Sequence, residues 1–276
     1  MKSARTIAPA ASGKVLRHLL TGLLDTAQRD VARLSTHEAV ATHQLRVRMK
    51  KLLSLLRLGQ DALPEPVFEA MRMHIRAVKN ACSARRDRQV RQRLLTKLSR
   101  RFHLPLPPQP HRTLRMPAAP SATFLRHQLC ALEQLLETTR IDTLSPEQVL
   151  AAHALSYRKG RRLMKQAFES TQEDILHRWR HRVKDLHYQT LALSHMPGAT
   201  RRVRRSRKLG AILGRERDLG LLAHDRLCAS PRSAWHRLIH ECRSRLRDRL
   251  LLLGRKLYDP AAHSFSQKMR RQAIHA

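Results

Sequence analysis

The residues best suited to chemistry are His, Arg and Lys side chains set as one helical stripe, and the stripe occurs twice. His43-Gln44-Leu45-Arg46-Val47-Arg48-Met49-Lys50-Lys51-Leu52 is followed 134 residues later by His177-Arg178-Trp179-Arg180-His181-Arg182-Val183-Lys184-Asp185-Leu186. His, Arg, Arg, Lys and Leu recur at offsets 0, 3, 5, 7 and 9. An α-helix turns about 100° per residue, so His43, Arg46 and Lys50 share one side and Arg57 extends it. Leu45, Met49, Leu52 and Leu56 take the opposite side. In the second copy His177, Arg180 and Lys184 oppose Trp179, Val183 and Leu186. Each copy therefore predicts a helix with one face for a core and one for an anion. Cations one turn apart, about 5.4 Å along the axis, make a track for a linear polyanion. Arg presents a planar fork to paired phosphate oxygens, and Lys a compact charge. A neutral imidazole can donate, and neighbouring phosphates favour its charged form.

The whole chain leans the same way. Its 276 residues carry 55 Lys and Arg against 21 Asp and Glu, a formal charge of +34. Such an excess costs folding stability through self-repulsion, which a polyanionic partner relieves. With 42% hydrophobic residues the charge does not imply disorder. Nucleic acid is the competing partner, since phosphate contacts dominate nonspecific affinity. Only 4% of residues are aromatic, and Trp179 falls on a core face, which leaves little to stack on bases. Weak electrostatic binding to nucleic acid is the expectation there. A P-loop, a carboxylate set for Mg²⁺ and a G-x-S-x-G elbow are all missing, so the reading is non-enzymatic. The 17 histidines form no H-E-x-x-H pattern or Cys/His cluster, so no metal or cofactor is expected. Cys82, Cys130, Cys228 and Cys242 read as reduced thiols of a cytoplasmic protein. Neither a membrane span nor a signal-peptide core is visible.

These stripes must be positioned by helices throughout. Gly and aromatic residues are few, Leu, Ala and Arg are many, and no segment alternates with period 2. Spacing predicts a helix from Lys14 to Leu34, a second carrying His43 to Leu58, and a third opened by Pro64 and Pro66. A fourth runs from about Arg85 to Phe102, and a fifth from about Ser121 to Thr138. Residues 1–12 read as a disordered start. The Pro-rich stretch 104–120 cannot be helical inside. Ser145-Pro146-Glu147 begins a new series, in which Val149-Leu150 matches Val15-Leu16 at the same offset of 134. Arg86-Asp87 matches Arg217-Asp218 at 131. The last long helix spans roughly Ser233 to Tyr258, and 259–276 read as a flexible tail. The fold class is all-α: two tandem bundles, 13–140 and 141–258. Arg201-Arg202-Val203-Arg204-Arg205-Ser206-Arg207-Lys208 holds six cations in eight residues. Arg201, Arg204, Arg205 and Lys208 share a face there and are assigned to one wall of an anion channel. The Asp of each Arg-Asp pair is read as a helix cap or a hold on a neighbouring Arg.

With these motifs assembled, the chain resembles the CHAD family, the conserved histidine α-helical domain, over about residues 13 to 258. His43, Arg46, Val47, Lys50, Lys51 and Leu52 fit its first motif, and His177, Arg180, Val183, Lys184, Leu186 and Tyr188 its second. Leu213-Gly214-Arg215-Glu216-Arg217-Asp218 is similar to its L-G-x-x-[RN]-D turn before a helix. The sequence departs from the pattern at Asp185, His187 and Ala192. The resemblance implies two bundles related by a pseudo-two-fold axis, together one domain, with a basic groove or channel at their junction. It implies inorganic polyphosphate as ligand, non-enzymatic binding, and association with polyphosphate granules, with other granule proteins as candidate partners. Contacts implied for this chain are His43, Arg46, Lys50 and Lys51, then His177, Arg180 and Lys184, with Arg86 and Arg217 as additions.

Overall fold

The computed structural model describes residues 12–106, 118–170, 172–196, 198–224, 228, 230, 233–259, 261, 263–267 and 271; the side chains of 84–87 and 89 lie outside the description. Regular structure among the described residues is helical, with no strand. The principal helices are α1 (Gly13–Ala32), α2 (Leu34–Leu56), α3 (Glu65–Ala81), α4 (Ala84–Phe102), α5 (Ala122–Glu137), α6 (Pro146–Glu169), α7 (Glu173–Ala192), α8 (Ala199–Ala223) and α9 (Ala234–Leu257). Their starts follow the serines. Ser12 Oγ accepts from the Val15 N–H, and Ser121 Oγ from the Phe124 N–H. Ser145 and Gln148 close a reciprocal capping box ahead of Pro146. Each such cap is worth about 1 kcal/mol. Residues 1–11 and 107–117, most of the expected disordered start and Pro-rich loop, lie outside the described residues. The beginning of that loop is held, because Trp235 Nε1 donates to the Pro105 carbonyl at 3.0 Å.

Helices α1, α2, α3 and α5 pack on one another, and α6 to α9 form a second group. The two groups meet where α2 packs on α7, so both motif helices lie at the junction. A single continuous core runs through that junction: Leu52, Leu55 and Leu56 belong to the same apolar cluster as Trp179, Val183 and Leu186. Polar side chains fix the register there. Ser54 Oγ donates to the Asp185 carbonyl and Gln189 Nε2 donates to the Ser54 carbonyl, both at 2.9 Å. The pseudo-two-fold relation remains a reading of the sequence.

Helix α4 leaves the first group. Its Leu95 and Leu98 are buried with Leu219, Leu222, Trp235, Leu238 and Ile239 of the second. At the 134-residue offset of the motifs, the first residue of α8, Ala199, matches the first of α3, Glu65. The first half breaks at Cys82-Ser83, whereas α8 continues unbroken. The expected turn at Leu213-Gly214 is therefore inside a helix, and Asp218 lies within α8 rather than at a helix head. Buried Ile212, Leu213 and Leu219 outweigh the roughly 1 kcal/mol that a mid-helix glycine costs.

The tail also differs from expectation. Phe265 is buried, stacked on Tyr157 with centroids 4.0 Å apart, and the Arg202 guanidinium lies 4.5 Å from its ring centroid. An aromatic side chain with that much apolar surface pins a segment that composition alone marks as free.

Candidate anion-binding site

The second motif lies along the contact of α7 with α8. Half-buried His177, Arg180 and Lys184 follow one another on α7, and α8 makes room for them with two glycines. A Cβ on Gly210 would stand 3.4 Å from Lys184 Cε, and one on Gly214 3.9 Å from Arg180 Nε. Gly210 and Gly214 belong to a stripe on α8 that begins at Arg207 and ends at Arg217, both at helical spacing. Arg217 acts on His177 at one end of the row, and Arg207 acts on Lys184 and His187 at the other. Lys51 of α2 also bears on His187.

From the other side α3 contributes Lys79 in its last turn, which bears on both His177 and His181. Arg46 holds this approach in place. Its Nη1 donates to the Lys79 carbonyl at 2.9 Å and to Ser83 Oγ, and Ser83 Oγ donates to the same carbonyl at 2.8 Å. A cation on the last carbonyls of α3 is what the helix C-terminus favours.

The site is crowded with positive charge. Burial, then Arg76, Arg46 and Arg57, hold the Lys79 ammonium below the usual lysine range. Burial, then Arg180 and Arg207, do the same to Lys184. His177 is held below the ordinary imidazole value by burial, Arg217, Arg180 and Lys79, with Asp174 pulling the other way. His181 is pushed down further by loss of hydration around its ring and by His177, Arg180, Lys79 and Arg57. The two imidazoles face each other with Nε2 atoms 3.0 Å apart, so one donates to the other and a second proton on the pair is opposed. Nearby acids are spent elsewhere: Glu173 and Glu216 both accept from Arg243 of α9.

Of the expected residues, the structure brings His177, Arg180, Lys184, Arg217 and Lys51 to one row. Arg46 is buried and committed to the α3–α4 break, with half-buried Lys50 one turn further along α2. His43 stands exposed a turn before Arg46. Its site differs from that of His177, since the position one turn on is Val47 rather than a second histidine. Arg57 does not extend the row; it gives two bonds to Asp185, at 2.7 and 2.8 Å. The Arg86 side chain lies outside the described residues. Arg201, Arg204, Arg205 and Lys208 do share a face, but it lies roughly 150° around α8 from the Arg207–Arg217 stripe. Arg205 on that face donates to the Lys256 carbonyl of α9 at 2.5 Å. They are not brought to the row as its wall, because packing of Leu209 and Leu213 into the core turns them away. Sequence reasoning missed Lys79, Arg207 and His181; the His177–His181 spacing of one turn was the available signal. Among the described residues no group of three His, Cys, Asp or Glu side chains is placed to hold a metal ion.

An all-helical protein whose two paired helices carry a cationic row is a narrow class, and comparison with family models identifies it. The CHAD domain model matches residues 18–228. The chain belongs to the CHAD family, which is associated with polyphosphate binding. Comparison with curated proteins and with solved structures returned no match. Among the described residues no helix is long and apolar enough to cross a membrane.

An anion bound at the histidine pair is expected to bind in a pH-dependent way. An anion beside it offsets Arg217, Arg180, Lys79 and Arg57, so bound imidazole takes up a proton that free imidazole refuses. His177 sits below its ordinary value in the free protein, so affinity rises as pH falls through the interval between that lowered value and the raised value of the bound imidazole. Calorimetry from about pH 8 to about pH 5.5 should show this gain in the native protein and little of it in a His177→Gln/His181→Gln variant. Equal pH profiles for the two proteins would exclude the pair.

Proposed function

We propose that the chain binds inorganic polyphosphate without chemical turnover, laid along the row from Lys79 and Arg217 past Arg180 to Lys184 and Arg207. The observation that carries this reading is the pair of glycines on α8, which leaves room for Lys184 and Arg180 to lie against that helix, where Arg207 and Arg217 act on the same row. Cations from α3, α7 and α8 act on one another there, which supports their serving a single ligand. A linear chain of phosphoryl groups with no base to stack suits such a line. Binding of this kind draws on the family's association with polyphosphate and fits a cytoplasmic protein recruited to polyphosphate granules, where other granule proteins would be its neighbours.

The test is competition at physiological ionic strength, with ligands matched by phosphate concentration. Long-chain polyphosphate should displace labelled polyphosphate at far lower concentration than duplex DNA or single-stranded RNA. Equal displacement by all three would replace this reading with nonspecific nucleic-acid and polyanion binding driven by net charge.

A further inference from the structure

A second cationic surface lies on a different face of α7. Between α6 and α7, closed at one end by Arg57, is an open cleft of about 440 Å³. Lys159 and Arg162 of α6 face Arg178, His181 and Arg182 of α7 across it. On α7, Arg178 and Arg182 lie roughly 160° around the helix from Arg180, whose guanidinium turns toward Gly214. His181 is the only one of these side chains that also belongs to the histidine pair of the row.

The cleft is built from beneath. Asp185 is buried, and burial raises its carboxyl against the opposing pull of Arg57 and Arg182; it accepts from Arg57 at 2.7 and 2.8 Å and from Arg182 at 3.2 Å. Both guanidiniums are thereby fixed in orientation while part of each stays exposed, 23% for Arg57 and 30% for Arg182. Asp174 pairs with Arg178 at 2.9 Å, and Asp61 acts on Lys159 from further off. Five cations against these three acids leave the balance positive. Crowding shows at Lys159, whose ammonium is held below its usual range by burial, Arg182 and Arg57. Among the described residues no Phe, Tyr or Trp lines the cleft, so the one ring it offers for a base to stack on is the His181 imidazole.

We propose that this cleft is a second anion seat, taking a few contiguous phosphoryl groups against the Asp185-anchored pair Arg57 and Arg182. The choice of phosphate rests on the polyphosphate reading; the cleft itself does not. Two sources share that chemistry: a free short oligophosphate, and a stretch of a long chain that turns past His181 from the row. Titration calorimetry with tripolyphosphate and with long-chain polyphosphate separates them. The variant is Lys159→Glu/Arg162→Glu, with Arg126→Glu/Arg249→Glu as an exposed control of equal charge change.

If the cleft takes free oligophosphate, the variant loses one equivalent of tripolyphosphate that the native protein and the control bind. If it takes a stretch of a long chain, tripolyphosphate uptake is unchanged and long-chain affinity falls about tenfold, with the control unaffected. Native behaviour of the variant toward both ligands, or an equal loss in the control, overturns the proposal. A Lys79→Glu/Lys184→Glu variant keeps the two readings apart: if it retains long-chain affinity while the cleft variant loses it, the row fails and the cleft stands.

Discussion

Replacing Lys79, Arg180 and Lys184 together by Glu lowers affinity for long-chain polyphosphate by more than about 100-fold at physiological salt, because each charge-assisted hydrogen bond lost is worth about 1.5–3 kcal/mol. The three come from two helices and meet at one row. Folding should survive. Lys79 and Lys184 are both depressed by burial and by neighbouring cations, so their charges oppose the native state. The salt dependence should shrink as well, by about 0.7 in the log–log slope for each phosphate contact removed, as for flexible single strands. Reversal of three exposed cations elsewhere, Arg126, Arg245 and Arg249, should cost less than about threefold if position and not net charge governs binding. Circular dichroism on both variants separates lost contacts from lost structure.

The largest stability effect is expected at Asp185. Asp185→Ala leaves Arg57 and Arg182 facing each other without the carboxylate that orients them, at the packing of α2 on α7. Breaking a buried pair costs about 3–5 kcal/mol, but partial exposure of both guanidiniums reduces this to about 2 kcal/mol. For a chain of this size the melting temperature should fall by roughly 4–8 °C. An Asp185→Leu/Arg57→Met double variant should recover much of the loss, since it removes the closer pair together and leaves only Arg182, 30% exposed, without its carboxylate. Unchanged melting of Asp185→Ala would mean that the bridge contributes nothing to the junction.

Much of this architecture is legible in the chain. Leu16, Leu20 and Leu24 at helical spacing give α1, and the serine caps at 12, 121 and 145 fix where helices begin. The 134-residue motif repeat points to the two helices that pack together. Helical phase says which residues share a face, but not what that face meets. Arg57 lies on the stripe of Lys50, yet it is drawn off the row by a carboxylate 128 residues away. The Arg201–Lys208 cations share a face by spacing, but spacing does not say where that face points; the burial of Leu209 and Leu213 sets the rotation of α8. Lys79 is one lysine among many cations, and nothing local marks it; the α3–α4 break and Arg46 bring it to the row. Asp185 was visible as a departure from the family pattern. Its role required the partner helix.

A crystal structure of the protein with a short-chain polyphosphate tests the central claim most directly. The account predicts phosphoryl oxygens within hydrogen-bonding reach of Arg180, Lys184, Lys79 and Arg217, running past Gly210 and Gly214 along α8. A chain lying instead on the Arg201–Lys208 face, with the α7 row vacant, would contradict it.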